Sequence, residues 1–192
     1  MFITFEGIDG AGKSTQAKIL YNRMKKEGTK VYLTKEPTEG RIGALIKSII
    51  SNSKIKYDIR TLQLLFVTDR SDHVNRYIEP KLKKGYTVIS DRYFFSTITY
   101  GAAFGLDPAW LYNLNSKFPY PDHIFVIDTE PKEGIKRLNK RGHKDYFEKE
   151  LLLQKIRKEY KVLTRKYPNC HIIDGNKTMK DVSKSIFKIL KL

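Results

Sequence analysis

The chain has 192 residues and a formal charge of +16, from 37 Lys and Arg against 21 Asp and Glu. With 40% hydrophobic residues it can build one domain with a sizeable core. One cysteine, Cys170, excludes an internal disulfide framework and fits a reducing, cytoplasmic setting; it reads as a small buried hydrophobe rather than a nucleophile. No run reaches the apolar length of a membrane helix, and no basic stretch precedes an apolar one at the N-terminus, so neither a membrane span nor a signal peptide is expected. The lysines are spread through every helix rather than clustered with aromatics. They read as a solvated basic surface that attracts anionic nucleotides, and nucleic acid is not an expected partner.

In chain order, Met1–Phe5 reads as a buried strand. Residues Gly7, Ile8, Asp9, Gly10, Ala11, Gly12, Lys13 and Ser14, followed by Thr15, have the form G-x-x-x-x-G-K-[ST]. Gln16–Met24 then reads as a helix with Ile19, Leu20 and Met24 inward. Strand, glycine turn and helix together give a phosphate-binding loop. Glycines let backbone N–H groups converge on an anion, and the helix N-terminus adds its unpaired donors. Lys13 supplies a cation for the β- and γ-phosphates, and the Ser14 hydroxyl is a candidate Mg²⁺ ligand.

Lys30–Thr34 is a second expected strand. Pro37 forces Glu36 away from helical geometry, which makes Lys35–Gly40 a loop. Arg41–Ile50 follows as a helix with Ile42, Leu45, Ile46 and Ile49 inward, and Tyr57–Lys84 as a long one with the stripe Leu62, Leu65, Phe66, Val74, Ile78 and Leu82. Phe66 and Arg70 share a face, so a ring and a guanidinium could stack on a base and bond its edge. Spacing alone favours Phe66 in the core and Arg70 along the surface.

Tyr86–Ser90 reads as a third strand ending in Asp91-Arg92-Tyr93, an acid and an arginine where open α/β sheets bind ligands. Phe94–Phe104 is a helix carrying Ser96, Thr97, Thr99 and Tyr100, and Ala109–Phe118 another. His123–Ile127 is a fourth strand, with Asp128 at its end. Pro131–Arg141 is a basic helix, Gly142–Asp145 a polar break and Phe147–Tyr167 a helix with Leu151, Leu152, Ile156, Tyr160 and Leu163 inward. The break, flanked by Arg137, Arg141 and Lys144, reads equally as a lid over phosphates or as a solvated charged hairpin. His171–Ile173 is a fifth strand, and Asp181–Leu190 the last helix. The alternation predicts a single α/β domain: a five-stranded parallel sheet with helices on both faces and a helical lid over about residues 137–147.

The ordered set of motifs resembles the thymidylate kinases, P-loop nucleoside monophosphate kinases that make dTDP from dTMP and ATP. It comprises Phe5–Thr15, Glu36-Pro37, Leu64-Leu65-Phe66 with Arg70, Asp91-Arg92-Tyr93 with Ser96, and Tyr100, and covers nearly the whole chain. The resemblance implies ATP and Mg²⁺ as cofactors and a homodimer packed through helices. It implies that Phe66 stacks on thymine, Arg70 bonds its edge, Pro37 walls the pocket, and Ser96 and Thr97 lie near the base. Arg92 would hold the acceptor phosphate, Asp9 contact the 3′-hydroxyl and Tyr100 crowd the 2′ position. Asp91, with Glu6 as a second candidate, would position Mg²⁺ or its waters, and Asn176 and Lys177 would lie near adenine. Some members carry arginine beside the aspartate matching Asp9, where this chain has Gly10. The catalytic arginine is then expected from the lid, Arg137 or Arg141. Some relatives also have arginine after the lid aspartate, where this chain has Tyr146. Two other functions fit a phosphate loop: a kinase for another nucleoside monophosphate, or a nucleotide-binding regulator.

Overall fold

The computed structural model describes residues 1–52, 57–139 and 147–192. Five strands, β1 (Phe2–Glu6), β2 (Val31–Lys35), β3 (Thr87–Asp91), β4 (His123–Asp128) and β5 (Cys170–Asp174), form one parallel sheet in the order β2-β3-β1-β4-β5. Every residue of β1 is buried, and the middle of β4 and most of β3 are too, which requires helices on both faces of the sheet. The strands lie within a residue or so of the sequence expectation, and they run one residue further at the carboxyl end. Glu6, Asp91 and Asp128 therefore belong to the sheet itself.

The helices are α1 (Lys13–Lys26), α2 (Arg41–Ser51), α3 (Ile59–His73), α4 (Glu79–Lys83), α5 (Phe94–Ala103), α6 (Pro108–Asn115), α7 (Pro131–Asn139), α8 (Phe147–Thr164) and α9 (Met179–Leu190). The single helix expected over Tyr57–Lys84 is divided. A π-helical turn at Val74–Ile78 separates α3 from α4. It lies just before Pro80, whose ring would crowd the carbonyl of Arg76 in a regular helix.

The inward faces also differ in places. Leu45 of α2 is 47% exposed and Leu151 of α8 is 48% exposed, against the inward placement of both. In α3 the buried positions are Gln63, Asp69, Arg70 and His73, whereas Leu62, Leu65 and Phe66 are only half-buried. This helix turns its polar side toward the interior, where a functional site needs polar groups.

Candidate active site

The loop between β1 and α1 folds as a phosphate cradle. Gly7, Gly10 and Gly12 have φ of 136°, 78° and 99°, values that L side chains rarely adopt. Gly12 offers no side-chain cap to α1, so the first-turn N–H groups face the loop's concavity. Lys13 lies buried beneath, its Nζ donating to Ile8 O at 2.7 Å. Burial, and then the Arg92 charge, pull its pKa down to about 8. A cleft of about 540 Å³ opens over residues 10–16, with Arg137, Gly175, Lys177 and Met179 on its walls.

Two groups at the cradle's edge meet the chemistry of Mg²⁺. The Ser14 hydroxyl donates to Asp91 Oδ2, and Asp91 Oδ1 is buried with no hydrogen-bond partner among the described residues. A hydroxyl and a carboxylate with an uncommitted oxygen are hard donors, which a Mg²⁺ octahedron completes with waters and phosphate oxygens. Glu6 is not free for this role. Its oxygens accept from Tyr93 N at 2.8 Å, Ser96 Oγ at 2.6 Å and Tyr160 Oη at 3.0 Å. Burial pushes its pKa up to about 7, against those hydrogen bonds and the Arg92 charge.

Arg92 follows β3 with a left-handed φ of 72°. Its N–H donates to Phe5 O at 2.9 Å and its carbonyl accepts from Ser90 Oγ at 2.7 Å, so the peptide is tied to two neighbouring strands. The guanidinium donates to Ser96 Oγ at 2.9 Å, Tyr100 Oη at 3.1 Å and the Asp9 carboxylate. It also lies over the Tyr100 ring at 5.1 Å. Arg92, Asp9, Ser96 and Tyr100 thus form one cluster beside the phosphate loop, whereas the resemblance grouped Ser96 with Thr97 near the base.

The second cluster centres on Arg70, and here spacing alone misleads. Arg70 is 1% exposed, not superficial, and Phe66 is half-buried, not core. Arg70 Nε and Nη2 both donate to Glu36 Oε2, at 2.9 and 2.7 Å. Its Nη1 donates to Thr97 Oγ1 at 3.0 Å and to Asn115 Oδ1 at 2.5 Å. Glu36 Oε1 meets His73 Nδ1 at 3.0 Å, and His73 Nε2 meets Thr34 Oγ1 at 2.7 Å. Glu36 enters through a cis peptide to Pro37, and Asp69 fastens the same loop by accepting from Thr38 N at 2.7 Å and Thr38 Oγ1 at 2.6 Å. Ser96 belongs with Arg92, whereas Thr97, on the next position of α5, belongs with Arg70. Asn115 has no sequence signal of its own and looks like a helix end, and Glu36 stood out only as part of the Glu36-Pro37 motif, with no role assigned to it.

On the far wall, Arg137 Nη2 donates to Gly175 O at 3.0 Å and Nη1 to Ala11 O at 3.4 Å, with Glu133 accepting from Nε at 3.1 Å. Asn176 Oδ1 accepts from Glu130 N at 2.9 Å and holds the β5–α9 loop, which carries Lys177 to the cleft. Arg141, Lys144 and Tyr146, with most of the expected lid over residues 137–147, lie outside the described residues. Cys170 is half-buried, and burial pushes its thiol up to about 12, which removes it as a nucleophile. His123 opens β4 and stacks on Phe125 and His171, remote from both clusters in sequence and bonding.

A model of the family described as thymidylate kinase matches residues 5–186. The chain belongs to the thymidylate kinase family. Similar proteins include one from Thermococcus onnurineus, 41% identical over 100% of this chain and 97% of its own length. Another, from Pyrococcus horikoshii, is 41% identical over 99% and 95%. A third, from Sulfurisphaera tokodaii, is 41% identical over 98% and 95%. Each carries the description "Probable thymidylate kinase". Membership of the thymidylate kinase family makes the chain a nucleotide-binding kinase that phosphorylates dTMP.

Proposed function

We propose that the chain transfers the γ-phosphoryl group of ATP to dTMP, giving dTDP for dTTP synthesis, with Arg92 holding the acceptor phosphate and Arg70 facing the base. The observation that carries this assignment is the arginine of φ 72° beside Lys13 and Asp9, a second anion anchor next to the phosphate loop. A nucleotide-binding regulator has no use for a second anchor, and a nucleoside kinase has no acceptor phosphate to place there.

In the donor cleft, the loop amides and Lys13 bind the ATP phosphates. Arg137 and Lys177 line the same cleft, and Arg141, next in the sequence on the lid, is the further candidate cation. Ser14 and Asp91 would hold Mg²⁺, which supplies positive charge between the donor phosphates. At the acceptor, Arg92 binds the dTMP phosphate, and Asp9 and Tyr100 flank the sugar. Phe66, Pro37 and Thr97 complete the base pocket with Arg70. Transfer needs two anions held in line while their mutual repulsion is neutralised, and these cations supply that with little covalent chemistry.

A cytoplasmic homodimer completes the proposal. The single half-buried thiol fits a reducing compartment, and among the described residues no helix is long and apolar enough to cross a membrane. Leu45 and Ile50 of α2 and Leu64 of α3 are 47%, 59% and 41% exposed on helices that pack together. Exposed apolar side chains on these helices suit contact with a second copy.

The test of the activity is ADP release from MgATP with dTMP, dUMP, dCMP, dGMP and thymidine as separate acceptors. Turnover dominated by dTMP is the expected result. Turnover dominated by another monophosphate overturns the base assignment, and none with any acceptor in folded, ATP-binding protein overturns the kinase assignment. Light scattering of the purified chain checks the dimer.

A further inference from the structure

Glu6 is a buried carboxylate that none of the phosphate-binding roles uses. It ends the central strand, is 0% exposed, and receives three protein donors. Two of them lead to Arg92. Glu6 Oε1 accepts the N–H of Tyr93, the peptide that follows Arg92 and closes its left-handed turn. Glu6 Oε2 accepts the Ser96 hydroxyl proton, which turns the Ser96 lone pairs toward Arg92 Nη1 at 2.9 Å. The third donor, Tyr160 Oη, also stands 3.0 Å from Ser96 Oγ and comes from α8.

We propose that Glu6 is a positioning residue for the acceptor anchor: it fixes Arg92 through the backbone by Tyr93 N–H and through the side chain by Ser96. This rests on Arg92 holding the acceptor phosphate. A hydroxyl has one proton to give, and a carboxylate that claims it leaves Ser96 only acceptor capacity toward the arginine. A neutral amide at position 6 would present N–H groups to the same two hydroxyls. Ser96 would then have to accept from both the amide and Arg92, with its own proton turned to Tyr160 Oη 3.0 Å away, so its oxygen would be shared between two donors instead of reserved for the arginine. Asp9 is the carboxylate that pairs with Arg92 directly, through Nη2. Glu6 is 0% exposed and acts on the arginine through Tyr93 and Ser96, so it need not take the guanidinium's own donors from a phosphate.

The geometry separates three roles for Glu6 by experiment. Glu6→Gln is nearly isosteric, and Ser96→Ala breaks the side-chain route alone. If Glu6 positions Arg92, each variant raises the dTMP KM by about tenfold or more, the size of one charge-assisted hydrogen bond, while the ATP KM stays within about twofold. The double variant then loses less than the product of the two, because both act on one route. The thermal shift produced by saturating dTMP shrinks in parallel, whatever the basal melting temperature.

Unchanged dTMP KM and dTMP-induced shift, with only a changed basal melting temperature, would make Glu6 structural and overturn the proposal. Tighter dTMP binding in Glu6→Gln would show that the carboxylate merely opposes the phosphate, and would overturn it equally. Arg92→Ala run alongside keeps the two assignments apart. Normal dTMP binding in that variant removes the anchor itself, whereas its loss there beside normal binding in Glu6→Gln removes only the positioning role.

Discussion

Gly10 and Gly134 meet backbone to backbone: a Cβ on Gly10 would stand 2.2 Å from Gly134 O, and one on Gly134 would stand 2.8 Å from Asp9 O. The phosphate loop and α7 are therefore docked as closely as two peptide chains can be. An arginine at position 10 cannot keep this contact. Gly10→Arg should not graft a second catalytic cation. It should displace α7 and weaken ATP binding by about tenfold or more, since φ of 78° and the clash both oppose it. ATP titration of Gly10→Arg and Gly10→Ala checks this. Near-normal affinity in both would mean that α7 yields easily.

Arg70 and Glu36 are buried together, at 1% and 5% exposure. Removing one partner leaves the other charge unpaired in the interior. Arg70→Met should cost about 3–5 kcal/mol of stability. The double change with Glu36→Gln should recover part of it, because the orphaned charge is then gone. Denaturant unfolding of both variants measures the difference, and dTMP binding should stay weak in the stable double variant.

Lys13 is a cation with its pKa drawn down to about 8 in the free chain by burial and by Arg92. Below that pH it meets phosphate already charged. Above it, binding must first restore the proton, so ATP affinity should fall as pH rises through about 8, at most about tenfold per unit. ATP affinity measured between about pH 7 and about pH 9 checks it; a flat profile would place the proton elsewhere.

Arg137 bridges Ala11 O and Gly175 O across the donor cleft. An arginine held there acts on the bound donor before it acts on the moving phosphoryl group. Arg137→Ala should raise the ATP KM by about tenfold with a smaller fall in kcat, and Arg141→Ala should show the reverse if it serves the transition state. Steady-state kinetics of the two variants, with dTMP saturating, decide which lid arginine has which task.

Much of this was legible because the relevant signals are local. The phosphate loop is a contiguous pattern whose glycines each meet a steric demand, and the strands are apolar runs bounded by turns. Arg70 was not legible from spacing. Helical periodicity assumes that the apolar side faces inward, and α3 buries Gln63, Asp69, Arg70 and His73 instead. Its partners Glu36, Thr97 and Asn115 come from three other segments, so nothing short of the fold brings them together. The surroundings of Glu6 were hidden in the same way: the resemblance offered it as a second Mg²⁺ candidate after Asp91, and the donors that meet its oxygens come from residues 93, 96 and 160.

The parallel pairing of β1 with β3 has a consequence for distance. Phe5 stands opposite Asp91, so the phosphate loop and Arg92 leave the sheet from adjacent strand ends, at matching heights. Neighbouring strands lie about 4.8 Å apart, and a slip of one residue moves a chain by about 3.3 Å. The ladder thus works as a ruler: the backbone hydrogen bonds of the most buried part of the molecule set the gap between donor and acceptor anchors. Its graduations are main-chain atoms, which no side-chain substitution can respace.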